Sequence, residues 1–418
     1  MNAAPKTGGH VAVIGAGIVG VCCALNLLRE GCRVTMIERG EPGAGASFGN
    51  GAVIGEETVV PVATPGMIWK VPGMLLDPLG PLAIRWSYLP RLAPWLLRFA
   101  AAGRPARVEQ ISISLRALLD GTFDAFDELL ALAEARDMIR RTGWMCVYET
   151  AAGFQGYRSM LDLQARRGVR FDVLGREELR QVEPALAPIF ARGVLYPDVG
   201  HAVNSQRLVR VLLATAERLG GRLVRAEARG FDMGPEGPRA VLTDGQPIPC
   251  DAVVVAAGAW SKDLAAALGA PVPLDTERGY HVQFPNPGVA PRMPIYSTER
   301  GMVATPLELG LRVAGTVELG GLEARENWAR AEVLARNAKR WFPDLQDRGR
   351  TRWMGFRPSM PDSLPVIGRS PRHANAILAF GHGHCGMMMS ARTGQLVAAL
   401  VAGRDPGIDM APYRPDRF

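Results

Sequence analysis

Apolar and polar positions divide this chain into two phases, and the first is announced at its start. Val11-Ala12-Val13-Ile14 is a short unbroken apolar run that feeds into Gly15-Ala16-Gly17-Ile18-Val19-Gly20, a G-x-G-x-x-G turn. Val21–Arg29 continues at helical spacing, and a second apolar run, Arg33–Ile37, ends in Glu38. Strand, turn, helix and strand in register, with an acid roughly 20 residues beyond the glycines, make a complete dinucleotide-binding unit. Gly15 allows the tight turn, Gly17 lets the backbone approach a pyrophosphate, and Gly20 lets helix and strand close together. The new helix offers N–H groups and a positive dipole end to phosphate, and Glu38 accepts hydrogen bonds from ribose hydroxyls.

The loop Pro42–Gly55 is glycine-rich and carries Ser47, Asn50 and Gly51. Met67–Gly103 is apolar, bears tryptophan and is interrupted by prolines, with Lys70, Arg85, Arg91, Arg98 and Arg104 in or beside it. Within it, Trp86–Ala102 has the pattern of a broken helical surface. Val108–Arg136 reads as one long helix. Trp144–Tyr148 reads as a strand and Arg176–Val182 as a short helix, ended by Glu183-Pro184. The second phase begins near Gly193. Gly193–Tyr196 is strand-like, His201–Asn204 a turn, Ser205–Leu219 a helix, and Arg222–Ala228 and Ala240–Thr243 strands. Asp251–Ala257 lacks polar alternation and is expected as a buried parallel strand, followed by the helix Ser261–Leu268. From Val272 to Leu319 the pattern switches to short alternating strands, Tyr280–Phe284, Ile295–Ser297, Gly301–Thr305 and Leu311–Val317, which predict an antiparallel sheet. Glu323–Phe342 returns to helix, Ala376–Phe380 is a buried strand, and a last helix runs through Leu400.

At 418 residues two domains are expected, and 48% hydrophobic with 21% charged residues describes a folded chain. The net charge is +7, and the positive charge is nearly all arginine, since Lys6, Lys70, Lys262 and Lys339 are the only lysines. The arginines are scattered, which argues against a nucleic-acid stripe and suits an anionic substrate or anionic lipid. Cys22, Cys23, Cys32, Cys146, Cys250 and Cys385 form no C-x-x-C or zinc pattern and read as reduced thiols in a cytosolic setting. Met1–His10 has no apolar signal core, and no stretch of about 18 apolar residues predicts a spanning helix. A cytoplasmic enzyme is expected; residues 67–103 read first as a packed helix pair of the second domain, with peripheral contact with the inner membrane as the alternative. No His/Cys/Asp/Glu cluster has metal spacing, so no metal is implied.

Five blocks in order, the G-x-G-x-x-G unit through Glu38-Arg39, Ala46–Ala52, Val253–Trp260, Gly355–Gly368 and Gly381–Met387, carry a resemblance over nearly the whole chain. The sequence resembles the FAD-dependent oxidoreductases of the D-amino-acid oxidase superfamily. The likeness is greatest to bacterial D-amino-acid dehydrogenases, with glycine oxidase, sarcosine oxidase and hydroxyproline dehydrogenase as cousins. The resemblance implies an α/β fold: a Rossmann-like FAD-binding domain assembled from separated segments, and an α+β substrate domain with an antiparallel sheet. The segments expected for the first are 1–66, 193–270 and 351–418, and for the second 67–192 and 271–350. FAD, held non-covalently, would contact Gly15, Gly17, Ile18, Val19, Gly20, Glu38 and Arg39. Ser47, Asn50, Gly51 and Ala52 would wrap the pyrophosphate and one edge of the flavin. Ala257 and Gly258 would lie near the adenine, and Trp260 would also contact the cofactor. Gly383, His384, Gly386 and Met387 would close over the flavin and start the final helix, whose dipole would face the ring edge that gains negative charge. Cys385 does not match the position that sarcosine oxidase uses for a covalent link.

The activity implied is oxidation of a D-amino acid to its imine by hydride transfer to flavin N5. The Gly355–Pro365 block looks like that of enzymes acting on D-proline or cis-4-hydroxy-D-proline. Such chemistry requires a grip on the substrate carboxylate, and a planar guanidinium matches two oxygens. By resemblance Arg357, in Gly-Phe-Arg-Pro, supplies it. Tyr280 and His281 are expected to line the substrate pocket or hydrogen-bond the substrate, with a sheet anchor as the alternative for Tyr280, and His384 to steer the amine or brace its loop. No general base is evident, and His382 reads as structural. Electrons would pass to a quinone or to O2, and a glycine- or sarcosine-type oxidase and a flavin subunit of a multi-subunit dehydrogenase stay open.

Overall fold

The computed structural model describes residues 8–67, 73 and 80–418. Among them, six strands form a sheet in the order Arg222–Arg225, Arg33–Glu38, His10–Ile14, Ala252–Val255, Ala376–Phe380, Val366–Arg369. All neighbours pair parallel except the last two strands. His10–Ile14 has Arg33–Glu38 on one side and Ala252–Val255 on the other, so the winding reverses there. The crevice beyond the carboxyl ends of strands at such a reversal is where open α/β sheets bind ligands. The helix Ile18–Arg29 packs beneath the last helix, Gly386–Ala402, and buries Cys22 and Cys23 completely. Burial pushes the Cys22 thiol up to about 12, and all six cysteines are free.

The second sheet has nine strands. Its path runs Thr351–Ser359, Asp275–Phe284, Gly310–Leu319, Met302–Leu307, Ile295–Ser297, Trp144–Tyr148, Arg192–Tyr196, Asp172–Leu174, with Leu82–Ile84 beside Gly310–Leu319. Pairing is antiparallel except at Ile295–Ser297 with Trp144–Tyr148 and at Leu82–Ile84. One face takes the helix Ala329–Trp341 over Tyr280, Val282 and Phe284, and the other looks toward the crevice. Strands Arg192–Tyr196 and Thr351–Ser359, which a division at 193 and 351 gives to the cofactor domain, hydrogen-bond in this sheet instead.

Several elements differ from expectation for local reasons. The long helix 108–136 is two, Pro105–Leu119 and Thr122–Leu132, because Gly121 takes a left-handed φ of 72° and breaks the ladder. His201 and Ala202 lie in the strand Val199–Ala202 rather than a turn. Asn204 then caps the helix Ser205–Arg218, its side chain accepting from the backbone N–H of Gln206 and Arg207. The helix expected from 323 begins only at Ala329. Trp86–Ala102 is a short 3-10 turn, Trp86–Tyr88, followed by the helix Leu89–Ala102 with Pro94 inside it. Lys70 and the rest of 68–72 and 74–79 lie outside the described residues. No helix among the described residues is long and apolar enough to cross a membrane.

A buried charge network pins the edge of the nine-stranded sheet. Arg278 is fully buried, 3.5 Å from Glu318, and donates to the carbonyls of Ala324 and Arg325. Glu318 also accepts from Tyr280 Oη at 2.5 Å and from Arg85. Removing one member strands the others without solvent. Glu318→Ala is therefore expected to lower unfolding free energy by about 3 kcal/mol, read as a drop in denaturation midpoint; a loss under about 1 kcal/mol would show that the network is not needed.

Candidate functional site

One cavity of about 530 Å3 opens along the carboxyl ends of the parallel strands and continues to the nine-stranded sheet. Its floor is the glycine turn. Gly15 holds φ 104°, and a Cβ there would stand 2.5 Å from the Ala256 carbonyl oxygen, so the turn cannot carry a side chain. Gly17 caps the helix Ile18–Arg29 in extended conformation, and Gly15, Gly17, Ile18 and Val19 border the cavity. Gly20 does not border it. It packs so closely on the Gly15 carbonyl that an added Cβ would stand 1.9 Å away. Its role is to close helix on strand.

At one end stand Glu38, Arg39, Ala257, Gly258 and Trp260. Glu38 Oε2 accepts from the Ala16 N–H and Oε1 from the Gly40 N–H, both at 2.9 Å, which fixes the carboxylate at the strand tip. Arg39 lays its guanidinium 4.1 Å from the Trp260 ring centre. Ala226, Glu227 and Ala228 complete this end. Their sequence does not mark them as site residues, because 222–228 reads as one continuous strand. Arg222–Arg225 in fact ends first, and Ala226 turns its N–H onto the Glu38 carbonyl.

Along the middle, Ser47 and Asn50 border the cavity. Ser47 Oγ accepts from the Ile18 N–H at 3.0 Å, tying the loop to the helix start. Asn50 folds its own turn, accepting from the Ala52 N–H and donating to the Ser47 carbonyl. Gly51 and Ala52 stand behind the wall, Gly51 against Val303 and Ala52 buried at φ 58°. Arg312, which no motif flagged, braces this loop from the second sheet. Nη1 donates to the Phe48 and Asn50 carbonyls and to Ser205 Oγ, and burial pulls the guanidinium down to about 10.

The far end brings together Gly383, His384, Gly386 and Met387 with Trp353, Phe356 and Arg357. The Arg357 guanidinium lies across Gly279, where a Cβ would stand 2.2 Å from Nη2. Nη1 donates to the Thr316 carbonyl at 3.0 Å, and the guanidinium forms no ion pair among the described residues. Burial lowers its pKa, partly opposed by Glu277. His384 opens onto the cavity with Nε2 3.3 Å from Glu277 Oε2. Burial lowers its pKa too, with Glu277 raising it and Arg357 lowering it. His382 is buried against Thr393, and burial brings it down to about 3, as a structural imidazole.

Tyr280 and His281 do not border the cavity. Tyr280 is buried under the helix Ala329–Trp341 in the Glu318 network, as a sheet anchor. His281 Nδ1–H donates to the Gly49 carbonyl, 3.0 Å away, and the ring stacks on Trp353 at 5.2 Å. Trp353 fills a slot between Gly49 and Gly355 and stands between His281 and the cavity. Burial holds His281 down at about 3, so it stays neutral. Among the described residues no His/Cys/Asp/Glu group could hold a metal ion.

The donor set suits a long dinucleotide. A glycine cradle and one helix start serve a diphosphate, and the start of Gly386–Ala402 faces the other end. Glu38→Ala is expected to weaken FAD affinity at least about tenfold, or about 1.4 kcal/mol, in fluorescence titration of apoprotein. Unchanged affinity would remove the carboxylate from the site. The comparisons with known proteins agree with the geometry. Residues 10–400 match the DAO family model, FAD dependent oxidoreductase. A D-amino-acid oxidase of Bradyrhizobium diazoefficiens is 45% identical, with 98% of this chain and 99% of that protein covered. D-amino acid dehydrogenase 2 of Ralstonia nicotianae is 33% identical over 97% and 99%. Glycine oxidase of Geobacillus kaustophilus superposes with a TM-score of 0.76 at 22% identity, covering 98% of this chain and 99% of its own. A cavity built from a glycine turn, two helix starts and an acid at a strand tip, in a chain that matches over nearly its full length, has one assignment: the protein belongs to the DAO family of FAD-dependent oxidoreductases.

Proposed function

We propose that this enzyme oxidises a D-amino acid at its Cα–N bond to the imine, which water hydrolyses to a keto acid and ammonia; a cyclic substrate of the D-proline type would leave a cyclic imine. The observation that carries this reading is Arg357. It is a guanidinium at the cavity end opposite Glu38, steadied by one carbonyl and matched to no carboxylate of its own chain among the described residues. An anionic small molecule supplies the missing partner, and the planar fork binds two carboxylate oxygens at once. FAD, when bound, supplies the two-electron acceptor. The chain's own residues orient and exclude. Trp353 and Phe356 wall the same end and keep water from the reacting carbon, and His384 stands where an amine would be received. Glu38 and the glycine turn hold the adenosine diphosphate half, and Gly383–Met387 the ring. The FAD-binding and substrate segments are those given above, with 192–196 and 351–359 moved to the substrate sheet. In this reading the flavin is held without a covalent bond, because Cys385 does not stand at the position that sarcosine oxidase uses for one.

The name of the relative at 45% identity favours oxygen as acceptor, and those of the dehydrogenases another acceptor. For a cytoplasmic enzyme feeding a membrane quinone, the helix Leu89–Ala102 is the contact surface we favour. Leu92 and Trp95 pack on Leu319, while Trp86 and Leu97 are 68% and 74% exposed beside the exposed Arg91 and Arg98. Co-flotation with anionic liposomes supports this contact, and its absence removes it.

Dye reduction tests the whole reading, with D-amino acids, hydroxyprolines, glycine and N-methylglycine, with and without oxygen. Turnover of D-amino acids supports it, and turnover of glycine or N-methylglycine alone overturns the substrate class. Peroxide release identifies an oxidase, and activity only with added subunits identifies a flavin subunit. Arg357→Ala is expected to cut kcat/KM about 100-fold, about 3 kcal/mol, with the flavin spectrum retained. A change under about threefold would sink the carboxylate grip.

A further inference from the structure

We propose that Glu277 and His384 form a dyad in which the neutral imidazole takes the proton of the substrate ammonium, with Glu277 as the positioning residue. This rests on the reading of the protein as an amino-acid oxidoreductase. Amine oxidation needs the nitrogen lone pair, because that pair becomes the second C–N bond as the Cα–H bond breaks. An amino acid arrives with its nitrogen protonated, so one N–H bond must break first and the proton needs a destination.

Glu277 is 6% exposed, and its Oε2 has no hydrogen-bond partner among the described residues. A buried carboxylate oxygen without a partner is costly, and such an atom asks for an explanation. It lies 3.3 Å from His384 Nε2, beyond good hydrogen-bond alignment, and such contacts tighten when a site fills. Glu277 pairs directly across the sheet with Arg357, so the two side chains leave the same face. Arg357 and His384 both border the cavity end, while Glu277 stands behind them. A carboxylate behind an imidazole fixes its tautomer: Nε2–H points to Glu277, and Nδ1 keeps its lone pair. The proton then passes from substrate nitrogen to Nδ1, the N–H bond breaking as the Nδ1–H bond forms. The substrate carboxylate on Arg357 places the amine on the side of His384.

The other groups facing this pair are few. Arg357 opposes protonation of His384 and Glu277 favours it, and desolvation of the ring at the cavity end lowers its pKa on balance. Cys385 adjoins His384 in sequence and senses Glu57 and Glu277, and Tyr296 interacts with Arg357. Removing the Glu277 charge must therefore lower the His384 midpoint further.

The test uses holoenzyme labelled in its histidines, with His384→Asn assigning the resonance and the flavin spectrum checking each variant. Glu277→Gln is expected to move the His384 titration midpoint down by at least about half a pH unit. Glu277→Asp, which keeps the charge, should restore much of it. In kcat/KM against pH, wild type should rise through the His384 midpoint to a plateau. Glu277→Gln should shift that limb to lower pH and drop the plateau at least about fivefold. In His384→Asn the limb should vanish and the rate follow the substrate's own amine ionisation. An unmoved midpoint in Glu277→Gln overturns the dyad. A moved midpoint with an unchanged rate profile overturns the proton-acceptor role. Wild-type holoenzyme inert toward every amino acid sinks the proposed function, and the role with it, and is distinguishable from both.

Discussion

A guanidinium that forms no ion pair among the described residues, Arg357, is the constraint around which this structure is arranged. Burial alone disfavours such a group, because a charge without a partner loses its hydration. Arg357 is kept because its surroundings were emptied and turned for it. Gly279, directly beneath, has no side chain to displace it. Thr316 adopts φ 58°, a conformation that costs a β-branched residue of order 1 kcal/mol or more, in the strand whose carbonyl meets Nη1. The contrast with Arg278 is instructive. That guanidinium is more deeply buried, yet Glu318 and two carbonyls satisfy it, and it serves only the sheet.

The parts legible in the sequence are those whose chemistry is local. From Val11 to Glu38 the apolar run, glycine spacing and terminal acid lie within one supersecondary unit, and that unit formed as expected. Gly383–Met387 likewise carries its turn and helix start in consecutive residues. Arg357 was legible through the resemblance of its four-residue block, since nothing in its spacing distinguishes it from the other arginines.

Neighbours on one strand are harder to place from sequence. Tyr280 and His281 are adjacent and were assigned together, but a strand sends adjacent side chains to opposite faces. Tyr280 goes under the helix Ala329–Trp341 with Arg278, while His281 shares a face with Glu277 and Gly279. Even on that face His281 is screened, because Trp353 comes from the next strand to stand before it. Period-two counting from Arg357's partner strand would have found Glu277, had the register been known. Arg312 was illegible for a different reason. It reaches Phe48 and Asn50, more than 260 residues away, and long-range contacts of that kind leave no local pattern.

The cavity is framed by segments from the two extremes of the chain, Gly15–Val19 near its start and Gly383–Met387 near its end. The helices that these turns begin also pack on one another. A ligand touching both ties the termini of the polypeptide as a clasp would. Because the unfolded chain offers no such pair of contacts, occupancy adds to folding free energy by mass action, about 2.7 kcal/mol when free ligand stands at a hundred times its dissociation constant. A copy without its FAD is therefore expected to open more often, and to be cut by a protease sooner, than a loaded one.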